Sequence, residues 1–272
     1  MKLQHNIIFF LAALSLAACT ERIDIKLDNE DTQRLVVDAW LTDEAKAHKV
    51  QLTLTGDYFS NIPPEPVTGA VVRITDGAET FDLTEASPGI YLTADNVKGI
   101  PGHTYTLTID WEGQTYEAVS ALREVAPIDK VETEKSDFQD EDTEETEYSV
   151  LLYTVEPPTE GDAYFWKAFL VDSPTDLTRT YWEIAEDKFV NGSPINGAEV
   201  LIIGGEPEDE FVFEQYNISQ AAFDFFVAVQ TETRYKGGIF DTPPANIPTN
   251  LNNGALGFFV AAGVVRDTVV IK

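Results

Sequence analysis

The residues able to do chemistry are few apart from the acids. One cysteine, Cys19, and three histidines stand against 47 Asp and Glu. His48 and His103 are far apart in the sequence and nothing resembles HExxH, so a metal site with histidine and cysteine ligands has too few donors. A Ser-His-Asp set is defined by geometry and not by order, but no Gly-x-Ser-x-Gly turn accompanies it. Both histidines read as exposed loop residues, His103 beside Gly102 in a turn. Two carboxylates suffice for glycoside hydrolysis, and with so many acids a pair is neither excluded nor singled out. No Gly-x-Gly-x-x-Gly or P-loop pattern occurs. The sequence therefore reads as a non-enzyme, with no cofactor and no metal expected.

Cys19 closes a different pattern. Lys2 opens the chain, an apolar run follows from Ile7 to Ala18, and "LAAC" spans Leu16 to Cys19. A charged start, a short apolar core and small residues make a secretory signal peptide over 1–18. The run is too short to span a bilayer, which takes roughly 20 apolar residues. "LAAC" also resembles the bacterial lipobox, whose cysteine is acylated and becomes the new N-terminus. Lipid attachment at Cys19 would hold the protein to a membrane, since stable anchoring takes two or more chains. Residues 19–33, rich in Glu and Asp, read as a solvated tether.

The formal charge of −29 argues against nucleic acid, because phosphate binding needs clustered Lys and Arg. It suits solubility at a crowded surface, or attraction of cations. Sixteen Phe, 10 Tyr and 4 Trp supply enough apolar matter for a core. "VETEKSDFQDEDTEETEY", from Val131 to Tyr148, concentrates acids in one block. Like charges resist packing, so 128–148 reads as a linker or loop. Calcium is its conceivable ligand, but EF-hand spacing is missing.

The elements that must position these residues follow from periodicity. Over 34–127, Val50, Leu52 and Leu54 alternate with polar neighbours, as do Tyr105, Leu107, Ile109 and Trp111. Period-2 alternation places one set on a buried face. Asp76-Gly77, Pro88-Gly89, Pro101-Gly102 and Glu112-Gly113 supply turns, and "WEGQTY" predicts a tight hairpin. This is the pattern of an antiparallel β-sandwich. "VTGAVVRITDG", "SPGIYL" and "GHTYTLTI" resemble Ig-like sandwiches of the transthyretin-like kind. A second, β-rich α+β domain is expected over 149–272. "YSVLLYTV" and "AYFWKAFL" read as strands around a Pro-Pro and Glu-Gly-Asp turn, the latter buried on both faces. "NISQAAFDFFVAVQTETRYKGG" predicts one long helix: Asn217 as cap with Gln220 three residues on, an apolar stripe of Ile218, Ala222, Phe225, Phe226 and Val229, Arg234 and Lys236 near the end, and Gly237-Gly238 as the stop.

Two places could recognise a ligand. Trp166 and Trp182 offer aromatic surface. The Pro- and Asn-rich stretch 241–253, carrying Asn246, Asn250 and Asn252, is long for a loop within a domain, which favours either a binding surface or a cover over the sheet.

In order, the lipobox, "LVVDAWLTDE", "VQLTLTGDYF", "VTGAVVRITDG", "PGHTYTLTI", "GDAYFWKAF", the capped helix and "PPANIPTNLNNGALGFFVA" resemble the Bacteroidota lipoprotein family of domain of unknown function (DUF) 4249. The resemblance assigns no activity and no site residues. It implies an outer-membrane, surface-exposed lipoprotein working beside a TonB-dependent β-barrel receptor, as a substrate-capturing accessory. An envelope assembly factor that binds only protein is the alternative, and a carboxylate-based hydrolase a third reading.

Overall fold

A computed structural model describes residues 33–56, 62–137, 145–187, 192–233 and 245–272. Cys19, residues 19–32 of the tether, residues 138–144 of the acidic block, Arg234, Lys236 and Gly237-Gly238 lie outside the described residues. The protein is mainly β. Its strands are β1 (Leu35–Thr42), β2 (Lys49–Leu54), β3 (Val71–Thr75), β4 (Thr80–Asp82), β5 (Thr84–Ser87), β6 (Ile90–Leu92), β7 (Thr104–Trp111) and β8 (Gln114–Ala121). They continue with β9 (Lys130–Lys135), β10 (Thr146–Val155), β11 (Ala163–Leu170), β12 (Thr180–Glu186), β13 (Pro194–Gly205), β14 (Glu210–Ile218) and β15 (Leu256–Val270). Among the described residues the one α-helix, α1 (Gln220–Thr233), lies between β14 and β15.

The alternating residues do what their period requires. Leu35, Val37, Ala39 and Leu41 of β1 pack against Val72, Ile74, Tyr105, Leu107 and Ile109 of β3 and β7 in one buried cluster. The intervening Val36, Asp38 and Trp40 are excluded from that core, because successive side chains point to opposite faces. The four-stranded sheet β4-β3-β7-β8 thus closes an antiparallel Ig-like sandwich over part of an eight-stranded sheet, β12-β11-β14-β15-β1-β2-β6-β5. The "WEGQTY" hairpin forms as predicted: β7 pairs with β8 through Trp111 and Gln114. Glu112 and Gly113 turn at φ 49° and 78°, two left-handed residues in the manner of a type I′ turn.

A break between two domains near Pro127 does not occur. Gln33–Lys272 is one compact unit, because β15 belongs to both halves. Its first half runs parallel to β1, from Val36 opposite Leu256 to Thr42 opposite Ala262. Its second half pairs antiparallel with β14, from Asn217 opposite Gly263 to Glu210 opposite Val270. Separating the two halves near Pro127 would part β15 from β1 or from β14 and tear the long sheet.

The acidic block is also more ordered than its charge suggests. "KVETEK" is β9, paired with β10 over Lys130 to Lys135. Val131 supplies the inward anchor and is buried beside Val150 and Leu152, while Glu134 and Lys135 stay in water. β10 and β11 are both strands but enter different sheets, β10 in a three-stranded sheet β13-β10-β9 and β11 in the long one. The Pro-Pro and Glu-Gly-Asp segment is therefore a corner between sheets. β11 is buried on both faces as predicted: Tyr164, Trp166 and Ala168 face the three-stranded sheet, and Phe165 faces α1.

The helix begins two residues later than its cap pattern implies. Asn217 and Ile218 complete β14, and Ser219 caps α1 by accepting the Ala222 N–H at 3.2 Å on its Oγ. Pairing of Asn217 with Tyr164 of β11 and Gly263 of β15 keeps it in the sheet and wins over the local cap signal. Ala222, Phe223, Phe225 and Phe226 bring the helix down on the far face of β11, β14 and β15.

Candidate functional site

The face of β1 turned away from the sandwich carries Trp40, and that single out-of-phase tryptophan begins the site. Next to it the sheet presents Phe165 of β11, opposite Tyr216 of β14 in the register, and Trp182 of β12, opposite Lys167. Residues directly opposite on neighbouring strands share a face. The four rings form a continuous aromatic wall. Phe165 is its hub, with ring centroids 5.6 Å from Trp40, 5.5 Å from Trp182 and 6.0 Å from Tyr216. Phe226 of α1 closes one side, 4.7 Å from Phe165 and 5.8 Å from Trp182.

These rings border an open cleft of about 500 Å³ whose rim carries Lys46, Lys49 and Lys167. Three ammonium groups around one cleft stand out in a chain with 18 basic residues against 47 acids. Only Asp38 among the lining residues is acidic, and Lys49 reaches it at 4.0 Å. Lys46 pairs with Glu44 at 2.9 Å, and burial lowers its pKa from the ordinary value, ahead of the opposing pull of Glu214 and Asp43. Lys167 lies over the Phe169 ring at 5.0 Å.

A polar chain stiffens the wall from behind. The Tyr216 hydroxyl donates to Glu214 Oε2 at 2.7 Å, and Arg266 Nε donates to Glu214 Oε1 at 2.6 Å. Arg266 also pairs with Glu44. Burial, then the Glu214 charge, raises the Tyr216 pKa well above 10, so the phenol keeps its proton and its donor role.

His48 lines the cleft but is only 2 % exposed, contrary to its reading as an exposed loop residue. It ends a short loop and directly precedes β2, and its N–H donates to Thr93 Oγ1 at 2.8 Å. Its Nδ1 accepts from the Thr42 N–H at 3.4 Å and its Nε2 faces the Val97 carbonyl at 3.1 Å, which suits the neutral ring protonated on Nε2. Burial lowers its pKa from 6.5 to about 4. The imidazole is a structural strut with both nitrogens engaged. His103 does sit exposed in its turn, with Nδ1 2.8 Å from Asp76.

The cleft gathers some of the residues singled out from sequence and not others. Trp182 belongs to its wall. Trp166 is on the opposite face of β11, 7 % exposed, with its indole N–H donating to Gln215 Oε1 at 2.9 Å. The asparagines of the late loop are fasteners. Asn250 Nδ2 donates to the carbonyls of Phe259 and Val119 at 2.8 and 3.1 Å, and its Oδ1 accepts the Phe259 N–H at 3.0 Å. Asn252 Oδ1 accepts the Glu117 N–H at 2.8 Å, and Asn253 Nδ2 donates to the Thr115 carbonyl at 2.7 Å. The described part of this loop is thus a cover over β8; Asn246 is exposed and does not line the cleft. Trp40, Lys46, Lys49, Phe165, Lys167 and Tyr216 were not singled out from sequence, although Trp40 out of phase with Val37, Ala39 and Leu41 was the available signal.

A second opening, about 560 Å³, shares Trp182 with the cleft and is lined by Thr180, Glu183, Glu199, Gln230 and Thr233 among others. It lacks a cation and has a shorter aromatic surface, so the aromatic cleft is the better ligand seat. Among the described residues one group could hold a metal, Glu156, Asp162 and Asp187, and none of its members lines that cleft.

Fold and cleft together define a mainly β, Ig-like protein with a preformed aromatic recess. The chain belongs to the family described as Domain of unknown function (DUF4249), whose profile matches residues 20–268. No curated protein matches it. Among solved structures it is similar to a two-domain fibronectin type III segment of chicken tenascin, at 9 % identity, 69 % of this chain, 92 % of that one and a TM-score of 0.20. A multi-domain segment of titin is similar at 6 % identity, covering 69 % of this chain and 61 % of that one, also with a TM-score of 0.20.

Proposed function

We propose that this chain is a lipid-tethered, surface-exposed lipoprotein of the bacterial outer membrane that captures a ligand, without chemistry, for a TonB-dependent transporter. The observation that carries the capture role is the cleft in which Trp40, Phe165, Trp182 and Tyr216 stand beside Lys46, Lys49 and Lys167. Aromatic faces hold flat or weakly polar surfaces, and a few placed polar groups fix orientation. Ammonium groups at the rim favour a ligand with negative charge, so the ligand class is an anionic molecule with a flat face, such as an acidic sugar chain. The cleft pairs no nucleophile with a base, since the His48 ring nitrogens are spent on Thr42 and Val97. The "LAAC" pattern at Leu16–Cys19 supports the lipid tether, and the resemblance of the whole chain supports the transporter.

The test is a titration of intrinsic tryptophan fluorescence with acidic and neutral oligosaccharides. Two of the 4 tryptophans, Trp40 and Trp182, line the cleft. Saturable quenching by an acidic member, lost in Trp182→Ala, is the expected result. A flat response to every member of the panel, with the protein folded, would refute capture of this ligand class.

A further inference from the structure

We propose that Glu156, Asp162 and Asp187 form a calcium-binding site that fastens the corner between the two sheets. The three carboxylates come from strand ends. Glu156 follows β10, Asp162 precedes β11 and Asp187 follows β12. Backbone bonds fix the frame: the Asp187 N–H donates to the Asp162 carbonyl at 3.1 Å, and the Glu156 N–H to the Ser193 carbonyl at 3.1 Å. All three side chains are buried, at 2 %, 2 % and 4 % exposure, and one oxygen of each lies within 4.8 Å of the others.

Their partners do not balance them. Asp162 is well served: Oδ1 meets Arg123 at 3.0 Å and the Asn217 amide N–H at 2.9 Å, and Oδ2 accepts from Thr159 Oγ1 at 2.6 Å. Glu156 Oε1 accepts from the Tyr164 hydroxyl at 2.9 Å. Asp187 Oδ2 finds no hydrogen-bond partner, nor does Asn217 Oδ1, on a side chain 1 % exposed whose amide already touches Asp162. Buried charges without partners are costly enough that folds pair them or bind metals. Three carboxylates against one guanidinium leave two negative charges, which one divalent cation neutralises.

The donors name the cation. All are oxygens, with no histidine or cysteine, which selects a hard ion over zinc or copper. Calcium binds oxygens at 2.3–2.6 Å, so any two of its ligands stand no more than roughly 4.6–5.2 Å apart, and three oxygens all within 4.8 Å of one another meet that limit. Magnesium holds its ligands closer and keeps several waters, while the opening beside Glu156 and Asp187 is only about 50 Å³. Asn217 Oδ1 and Thr159 Oγ1 are further oxygens beside the set.

The experiment uses the full-length chain in detergent, stripped with EDTA, and follows calorimetric titration and thermal melting with calcium chloride. The expected result is one calcium per chain and a Tm rise of roughly 5 °C or more at a hundredfold excess over Kd. Asp187→Asn should lose both, with a calcium-free Tm no lower than wild type, whereas Glu134→Gln on the exposed face of β9 should keep both. Should Asp187→Asn fail to fold, wild-type melting in calcium against equal magnesium decides: a rise specific to calcium upholds the site. No rise up to about 10 mM calcium, an equal rise with magnesium, or an undiminished response in Asp187→Asn overturns it.

Discussion

Trp182 and Lys167 sit opposite each other in the β11–β12 register, and they carry the recognition argument most directly. Removing the Trp182 ring strips one wall of the cleft without opening the core behind it, since Trp182 is only half-buried. Trp182→Ala and Lys167→Ala should each weaken binding of an acidic ligand about tenfold or more, as a lost stacking face or charge-assisted contact is worth about 1.5–3 kcal/mol. Fluorescence titration in parallel with far-UV circular dichroism separates lost binding from lost fold. His48 makes a prediction about pH. Its folded pKa of about 4 lies below its unfolded 6.5, so the unfolded chain takes up a proton that the folded chain refuses. The stability this residue holds above pH 6.5 is therefore lost as pH falls from 6.5 through about 4, by about 2–3 kcal/mol. Glu156 acts in the opposite sense: burial, with Asp162 and Asp187 nearby, raises its pKa above 4.5. Its proton uptake favours the folded state as pH falls toward 4.5. Urea unfolding across this range should show the acid loss flattened in His48→Gln.

At the scale of elements, β15 decides the architecture. Leu256, Gly257 and the strand that follows alternate between two cores, with Phe259 and Ala261 in the sandwich and Phe258 and Val260 under α1. Gly257 is held at φ 87°, where a Cβ would overlap the Val37 backbone. Gly257→Ala should therefore cost well over 1 kcal/mol, from left-handed strain and the close approach to β1 together. Asn250→Ala leaves the Phe259 N–H without its side-chain acceptor and should cost about 1–3 kcal/mol; thermal melting checks both. Strands were legible from alternation wherever one face met water, as in β2 and β7. The turn at Glu112-Gly113 was legible from its dipeptide. The start of α1 was not, because Asn217 is a good local cap, while burial of its amide against Asp162 and the Glu124 carbonyl at 2.7 Å is a tertiary fact. β9 was hidden by its charges, since one inward valine suffices for an edge strand.

At the scale of the whole molecule, one sheet runs through both halves, and no linker separates them. Thermal or denaturant unfolding of Gln33–Lys272 should therefore show one cooperative transition, with circular dichroism and tryptophan fluorescence coinciding; two resolved transitions would mean that the halves fold apart. Sequence alone could not show this, because the pairing of β1 with β15 joins residues at opposite ends of the chain. The cleft was hidden for the same reason: Trp40, Phe165 and Trp182 meet only through that pairing and the β14 neighbour. The acidic block drew attention to carboxylates at 131–148, whereas the buried group Glu156, Asp162 and Asp187 comes from the ends of β10 and β12 and the start of β11, with no local motif. The capture role at a transporter is most directly tested by gentle solubilisation of the outer membrane, recovery of this protein by a C-terminal tag, and identification of what accompanies it. A TonB-dependent β-barrel receptor in near-equal amount is the predicted result. Recovery of the protein alone, under conditions that preserve known lipoprotein–barrel complexes, would contradict it.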